Sequence, residues 1–236
     1  MSDLITSLIL ISTVSCVAFA ATVRFCRHRS ESAGQFMALM AIAAGTAYFL
    51  FVWNQPVLAT VVPYSGLIVL GNWFPVFAAI LAATVWSSPS GMIRRALPAV
   101  SLGLVSTLAL VTPFLGRQPD CREAWRGDIC LQTTPYTCSP ASAATLLRAY
   151  GIDATEREMA ELCLTHRGTN WMGLFRGLSK KTEGSPWKVD VFDVPIGENA
   201  QPPETPAILV ARLPNDLPNP EHRELRDTCG WIPGQA

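Results

Sequence analysis

Residues 4–23 read LITSLILISTVSCVAFAATV, an uncharged run in which Ser, Thr and one Cys are the polar interruptions. About twenty apolar residues at 1.5 Å per residue cross the hydrocarbon core of a bilayer, which is roughly 30 Å thick. Stretches 34–53, 66–86 and 97–115 meet the same length. Gln35 opens the second, and Asn72 and Pro75 interrupt the third, which residues 56–70 extend into a longer, broken span. The sequence therefore predicts an α-helical membrane region of about four transmembrane helices over residues 1–116.

The rest of the chain has a different composition. Residues 1–116 hold five Lys/Arg and two Asp/Glu, whereas residues 117–236 hold thirteen and sixteen. The formal net charge of zero and the mean hydropathy of +0.28 thus average two regions suited to different solvents. The second region is long enough for one domain with its own core. It carries no strongly basic patch, which argues against a nucleic-acid partner.

Asp3 stands where a cleavable signal would be cationic, and Arg24, Arg27 and Arg29 follow the first apolar run directly. These arginines and the Arg94–Arg95 pair mark cytoplasmic loops, while the 54–65 loop is uncharged. The expected topology puts the N-terminus, the 54–65 loop and everything after residue 116 outside the cytoplasm. The predicted spans contain no ionisable residue suggesting an ion or proton path, so they read as an anchor in the lipid bilayer rather than a channel or transporter subunit.

In the second region, residues 117–131 read as a polar linker or loop. Residues 140–150 read as a helix with Ala143, Leu146, Leu147 and Tyr150 on one face, ended by Gly151. Thr155 and Glu158 have the spacing of a capping box and open a second helix to about Leu164, with Met159, Leu162 and Cys163 inward. Thr169 is expected to cap a third helix over 170–181. Residues 187–191 alternate apolar and polar, and 207–213 are largely apolar; both read as strands. Helices followed by strands suggest an α+β domain.

The stretch with chemical content runs from Gln132 to Ala141. Cys138 precedes a helix whose first turn contains Pro140, a position where proline is tolerated. The unpaired N–H groups and partial positive charge of a helix start favour thiolate over thiol. Gln132, six residues upstream, is a candidate amide donor to an oxyanion, with the Cys138 backbone N–H as a second.

Gln132, the Cys138-Ser-Pro-Ala turn and the Leu146–Ile152 run resemble the papain-like cysteine peptidases that process double-glycine leaders. That family includes N-terminal domains of bacteriocin-exporting ABC transporters and stand-alone relatives. The helix opened by Thr155, the 168–174 segment and the 205–210 segment carry the likeness to about residue 213. The resemblance implies a papain-like α+β fold, Cys138 as nucleophile and Gln132 as oxyanion donor. It also implies peptide or protein substrates, cut after a Gly-Gly pair, and an export or secretion system as partner. The implied location is a bacterial inner membrane with the C-terminal domain periplasmic or extracellular. The mechanism requires no metal or organic cofactor, and the chain lacks the Gly-x4-Gly-Lys-Ser/Thr sequence of an ATP site.

Two departures stand out. Ser139 follows the cysteine where the family has glycine. A thiol peptidase also needs an imidazole to protonate the leaving amine, and the family's histidine begins a strand beyond the 205–210 segment. His28 falls in a cytoplasmic loop and His166 at a helix end, which leaves His222, in a charged setting, as the candidate general base. The expectation is a fragment or shortened chain lacking the histidine and its Asp partner. The alternative function is a catalytically silent leader-peptide-binding module on a membrane anchor.

Cys16 and Cys26 belong to the membrane region. Cys121, Cys130, Cys163 and Cys229 are an even set outside it, which in an oxidising compartment allows two disulfides. Chain proximity and the family layout suggest Cys121–Cys130 and Cys163–Cys229. Buried reduced thiols and a zinc site at Cys163-x-x-His166 are the competing readings.

Overall fold

The computed structural model describes residues 2–53, 55–192 and 205–208. The chain divides into two compact units, Met1–Leu115 and Gly116–Ala236.

All the regular secondary structure described in the first unit is helical. It contains α1 (Ser2–Arg27), α2 (Glu31–Phe51), the short α3 (Val57–Val61) and α4 (Leu67–Leu70), then α5 (Phe74–Trp86) and α6 (Met92–Val111). A 3₁₀ turn, Thr112–Phe114, follows α6. Four segments are long and apolar enough to cross a membrane: Ser2–Arg27, Glu31–Phe51, Leu67–Trp86 and Met92–Phe114. Asp3 in the first turn of α1 and Arg24 and Arg27 in its last both complement the helix dipole. Asp3 is buried, so an acid that the hydropathy pattern leaves outside the first span belongs to the packed interior of this unit.

Helix α5 is the hub, packed against α1, α2 and α6. Close approach depends on small residues. A Cβ at Gly45 would lie 3.3 Å from the Phe77 ring, and one at Gly66 would lie 2.0 Å from the Ser7 hydroxyl.

The third span is broken, and proline chemistry accounts for how its polar groups are paired. Pro75 has no N–H to return to the Gly71 carbonyl, which instead accepts the Tyr48 hydroxyl at 2.5 Å and the Trp73 N–H at 3.1 Å. Pro113 likewise leaves the Ala109 carbonyl of α6 without its helical donor. The Asn72 side-chain amide takes that place at 3.1 Å, while its Oδ1 accepts the Phe74 N–H at the start of α5. In an apolar surrounding each such group must find a protein partner.

The second unit contains a two-residue hairpin and three helices among its described residues. Strands β1 (Trp125–Arg126) and β2 (Ile129–Cys130) pair antiparallel, with Trp125 opposite Cys130. Gly127, at φ +59°, opens the two-residue turn that joins them. This hairpin replaces the loop expected over 117–131. Helices α7 (Cys138–Ala149), α8 (Glu156–Leu162) and α9 (Trp171–Lys181) pack on one another around Ala143, Leu147, Met159, Cys163, Leu174 and Leu178.

The helix ends follow local chemistry. Thr155 Oγ1 accepts the Glu158 N–H at 3.1 Å, as its spacing predicts. Glu158 itself takes Lys181 Nζ at 2.6 Å, tying α8 to α9. Asn170 rather than Thr169 caps α9, through the Met172 N–H, because the Thr169 hydroxyl is engaged with Thr165. The buried Arg176 of α9 donates to the Leu162 carbonyl and satisfies the end of α8.

The strand expected over 187–191 is not formed; those residues are irregular, with Trp187 stacked edge-on against Tyr150. A strand needs a paired neighbour. The expected partner begins with Ala207 and Ile208, which are also irregular, and continues outside the described residues. The described residues therefore show helices and one small hairpin, not the sheet of a papain-like α+β domain.

Candidate functional site

The loop after strand β2 carries Gln132 and leads into Cys138 at the start of α7. The hairpin ladder is extended by the Leu131 N–H to the Ala124 carbonyl at 2.8 Å. The Cys130 N–H donates to Thr145 Oγ1 at 2.9 Å, which fixes the end of β2 to α7. Residues 132–137 bridge from this anchor to Cys138.

That bridge is a tight turn built from threonines. Thr137, the residue before α7, is fully buried. Its hydroxyl donates to the Thr134 carbonyl at 3.1 Å and pairs with the Thr134 hydroxyl at 2.9 Å. Spent on this turn, it does not cap α7. Cys138 thus occupies the first position of a twelve-residue helix whose N-terminal N–H groups are not covered by a side chain. Its own N–H has no hydrogen-bond acceptor among the described residues.

Gln132 is half-buried, and its Nε2 donates to the Thr134 carbonyl at 2.6 Å. The amide is therefore folded onto the turn that leads into Cys138. The structure thus places a thiol and its backbone N–H at a helix start, and holds the Gln132 amide on the Thr134 carbonyl of the turn before it. Backbone and amide N–H groups are the kinds of donor an acyl-transfer site uses to hold a developing oxyanion.

No family model matches the chain. No solved structure matches it. It is 43% identical over 54 residues to an uncharacterised protein of Methanothermobacter thermautotrophicus. The match covers 22% of this chain and 38% of that protein, so it spans well under half of the relative's length.

The cysteines of the second unit fall into two groups. Cys121, Cys130 and Cys163 are buried free thiols, whereas Cys138 is partly exposed. Burial pushes the Cys121 and Cys130 thiols up to about 11, with the Glu156 carboxylate adding to the effect. Burial pushes Cys163 up to about 12. The bridge expected between Cys121 and Cys130 is not formed; both are thiols in the interior beside Glu156. Cys229, the expected partner of Cys163, lies outside the described residues. Cys163 instead packs its sulfur against Gly177 of α9. The zinc reading of Cys163 and His166 gains no support, since no metal-binding group of three or more such side chains occurs among the described residues.

His166 follows α8, with its ring close against Gly116, whose φ of +148° lets the backbone pass there without a side chain. His222, the candidate general base, lies outside the described residues.

Sequence reasoning passed over Glu156 and Thr133. Glu156, the first residue of α8, is buried at 1% exposure, and its carboxylate accepts from both the N–H and the hydroxyl of Thr133. At a helix start, beside a Thr cap, a glutamate reads as a solvated charge favouring the dipole. The 23-residue separation from Thr133 hides the contact.

Proposed function

We propose that the chain is a membrane-anchored cysteine peptidase acting on peptides or leader sequences, with cleavage after Gly-Gly as the favoured specificity. The observation that carries this reading is Cys138: a partly exposed thiol at the first position of α7, six residues after a half-buried glutamine, in a unit whose other described thiols are buried. In the proposed reaction the Cys138 thiolate attacks the peptide carbonyl. The Cys138 N–H and the Gln132 amide hold the oxyanion after Gln132 Nε2 leaves the Thr134 carbonyl. A histidine protonates the leaving amine as the acyl–sulfur bond forms, and water then releases the acyl group.

The four apolar helices support an integral membrane location. The cationic 24–33 and 94–95 loops support a cytoplasmic side for those loops, with the second unit on the opposite face. The bacterial inner membrane and an export or secretion partner follow from the family resemblance.

The test is cleavage of Gly-Gly leader peptides by the full chain in membranes or detergent. Cleavage by the natural chain and its loss in Cys138→Ala support the reading; equal cleavage by both refutes it. The sequence favours a second reading, a leader-binding module without catalysis, because the one histidine after the 205–210 segment is His222, in a charged setting. That reading is chosen by peptide binding, without Cys138-dependent cleavage, in natural and Cys138→Ala chains alike.

A further inference from the structure

We propose that Glu156 is the positioning residue for the oxyanion donor Gln132, acting through Thr133; the inference rests on the peptidase reading above. Glu156 sits on α8, yet it fixes the backbone immediately after Gln132. One carboxylate oxygen accepts the Thr133 N–H at 2.9 Å and the other accepts the Thr133 hydroxyl at 2.6 Å. The same hydroxyl accepts the Arg122 N–H at 2.9 Å, so Thr133 is gripped from α8 and from the segment before β1.

The next residue, Thr134, is locked to Thr137, one position before Cys138. Gln132 therefore leaves a backbone held on its C-terminal side by Glu156 and on its N-terminal side by the anchor of β2 to α7. Its amide rests on that turn, at the Thr134 carbonyl, 2.6 Å away.

A carboxylate in this place costs desolvation that an apolar residue of similar size would not. A core-filling role does not call for a charge. A charged acceptor with two oxygens does suit two convergent donors on one residue, and it holds them more firmly than a neutral amide. Gln at position 156 keeps the size but removes the charge and turns one acceptor into an NH₂ group, so both contacts lose their charge assistance and the one to the Thr133 hydroxyl must reverse its direction.

Two reagents separate positioning from simple folding. Iodoacetamide alkylates Cys138 by sulfur displacing iodide from carbon, a step in which no oxyanion forms. A peptide ending in glycine-glycinal adds the same sulfur to its aldehyde carbon. The carbonyl electron pair moves to oxygen, which takes a proton to give a hemithioacetal, and an oxyanion site favours this step. The full chain is treated with iodoacetamide with and without the aldehyde, and labelling of Cys138 is read by peptide mass mapping.

The natural chain is expected to be protected by the aldehyde. Glu156→Gln is expected to alkylate within about twofold of the natural rate while its aldehyde affinity falls on the order of tenfold, less than the roughly hundredfold or more for full removal of an oxyanion donor. Gln132→Ala should lose more, and the Glu156→Gln/Gln132→Ala double variant no more than Gln132→Ala alone. Should Glu156→Gln fail to fold, Thr133→Val and Thr133→Ser decide, with loss of aldehyde binding expected in the first and retention in the second.

Unchanged aldehyde protection in Glu156→Gln overturns the proposal and leaves the peptidase reading standing. So does a parallel loss of alkylation and protection, which marks a structural role alone. Absence of aldehyde protection in the natural chain overturns the peptidase reading, and this inference falls with it.

Discussion

The side chain of Asn72 replaces a hydrogen bond that Pro113 removes, and this makes a sharp prediction for the first unit. In Asn72→Leu the Ala109 carbonyl of α6 loses its donor, and the Phe74 N–H loses its acceptor. Interhelical hydrogen bonds in membranes contribute about 0.6 kcal/mol on average and up to about 1.7. An orphaned buried carbonyl adds about 1–3 kcal/mol when no other donor reaches it, so a loss of about 2–3 kcal/mol is expected. Pro113→Ala supplies a backbone N–H four residues after Ala109 and returns the α6 part of that loss, but not the α5 part. The double variant Asn72→Leu/Pro113→Ala should therefore be more stable than the two single effects predict, by about 1 kcal/mol or more. The assay is reversible unfolding of the detergent-solubilised chain in sodium dodecyl sulfate, followed by helical circular dichroism. Additive effects to within about 0.5 kcal/mol, the scatter of uncoupled sites, refute the argument that Asn72 stands in for the missing proline N–H.

Further expectations follow from the second unit. A Cβ at Gly177 would lie 2.3 Å from the Cys163 sulfur. Gly177→Ala should therefore cost about 1–3 kcal/mol of overpacking, more than the ~1 kcal/mol of helix propensity it gains, and Cys163→Ala in the same chain should relieve it in a denaturant titration. Thr155→Ala removes the α8 cap and should cost about 1 kcal/mol by the same measurement. The buried thiols Cys121, Cys130 and Cys163 have pKa values raised by burial, so the folded chain keeps protons that the unfolded chain releases. Their contribution is complete below about pH 8. It declines by about 1.4 kcal/mol per pH unit per thiol as pH rises from about 9 towards their folded values. Unfolding at pH 7.5 and pH 10 under reducing conditions should show that decline, and Cys163→Ala should flatten it; a slope unchanged by the substitution would count against the assignment.

The membrane helices were legible in the sequence because a bilayer imposes one requirement on length and composition, and residues 4–23, 34–53, 66–86 and 97–115 meet it. Their packing was not, since it hangs on positions such as Gly45 and Gly66, where the relevant fact is the neighbour rather than the residue. In the second unit, spacing at three and four residues located α7, the Thr155/Glu158 capping pattern located α8, and a cap candidate located α9. Of the inward residues expected in α7 and at α8, Ala143, Leu147, Met159 and Cys163 are buried. The cap of α9 was misplaced by one position because Thr169 and Asn170 both qualify locally, and the Thr165 hydroxyl decides between them. The hairpin over 125–130 escaped notice because two-residue strands are too short to show alternation. The converse error at 187–191 has the same root: alternation describes a surface that could pair, and pairing is decided by a partner elsewhere.

The site shows a similar division between local and distant information. Cys138 and Gln132 are readable as candidates because a cysteine at a helix start is a local arrangement, set by Pro140 on one side and a turn-forming run of threonines on the other. What orients them is distant. Glu156 lies 23 residues beyond Thr133, in a segment whose pattern announces only a helix start, yet its two oxygens determine how the chain leaves Gln132. A charge expected to face water is instead spent on two donors of one threonine, and its negative field also bears on Cys121 and Cys130. Burial first, and then the same carboxylate that holds Thr133, raise the pKa of those two thiols, while Cys138 is the partly exposed thiol of the described second unit. In the proposed peptidase the candidate nucleophile is thus set apart by its exposure and by its place at the start of α7.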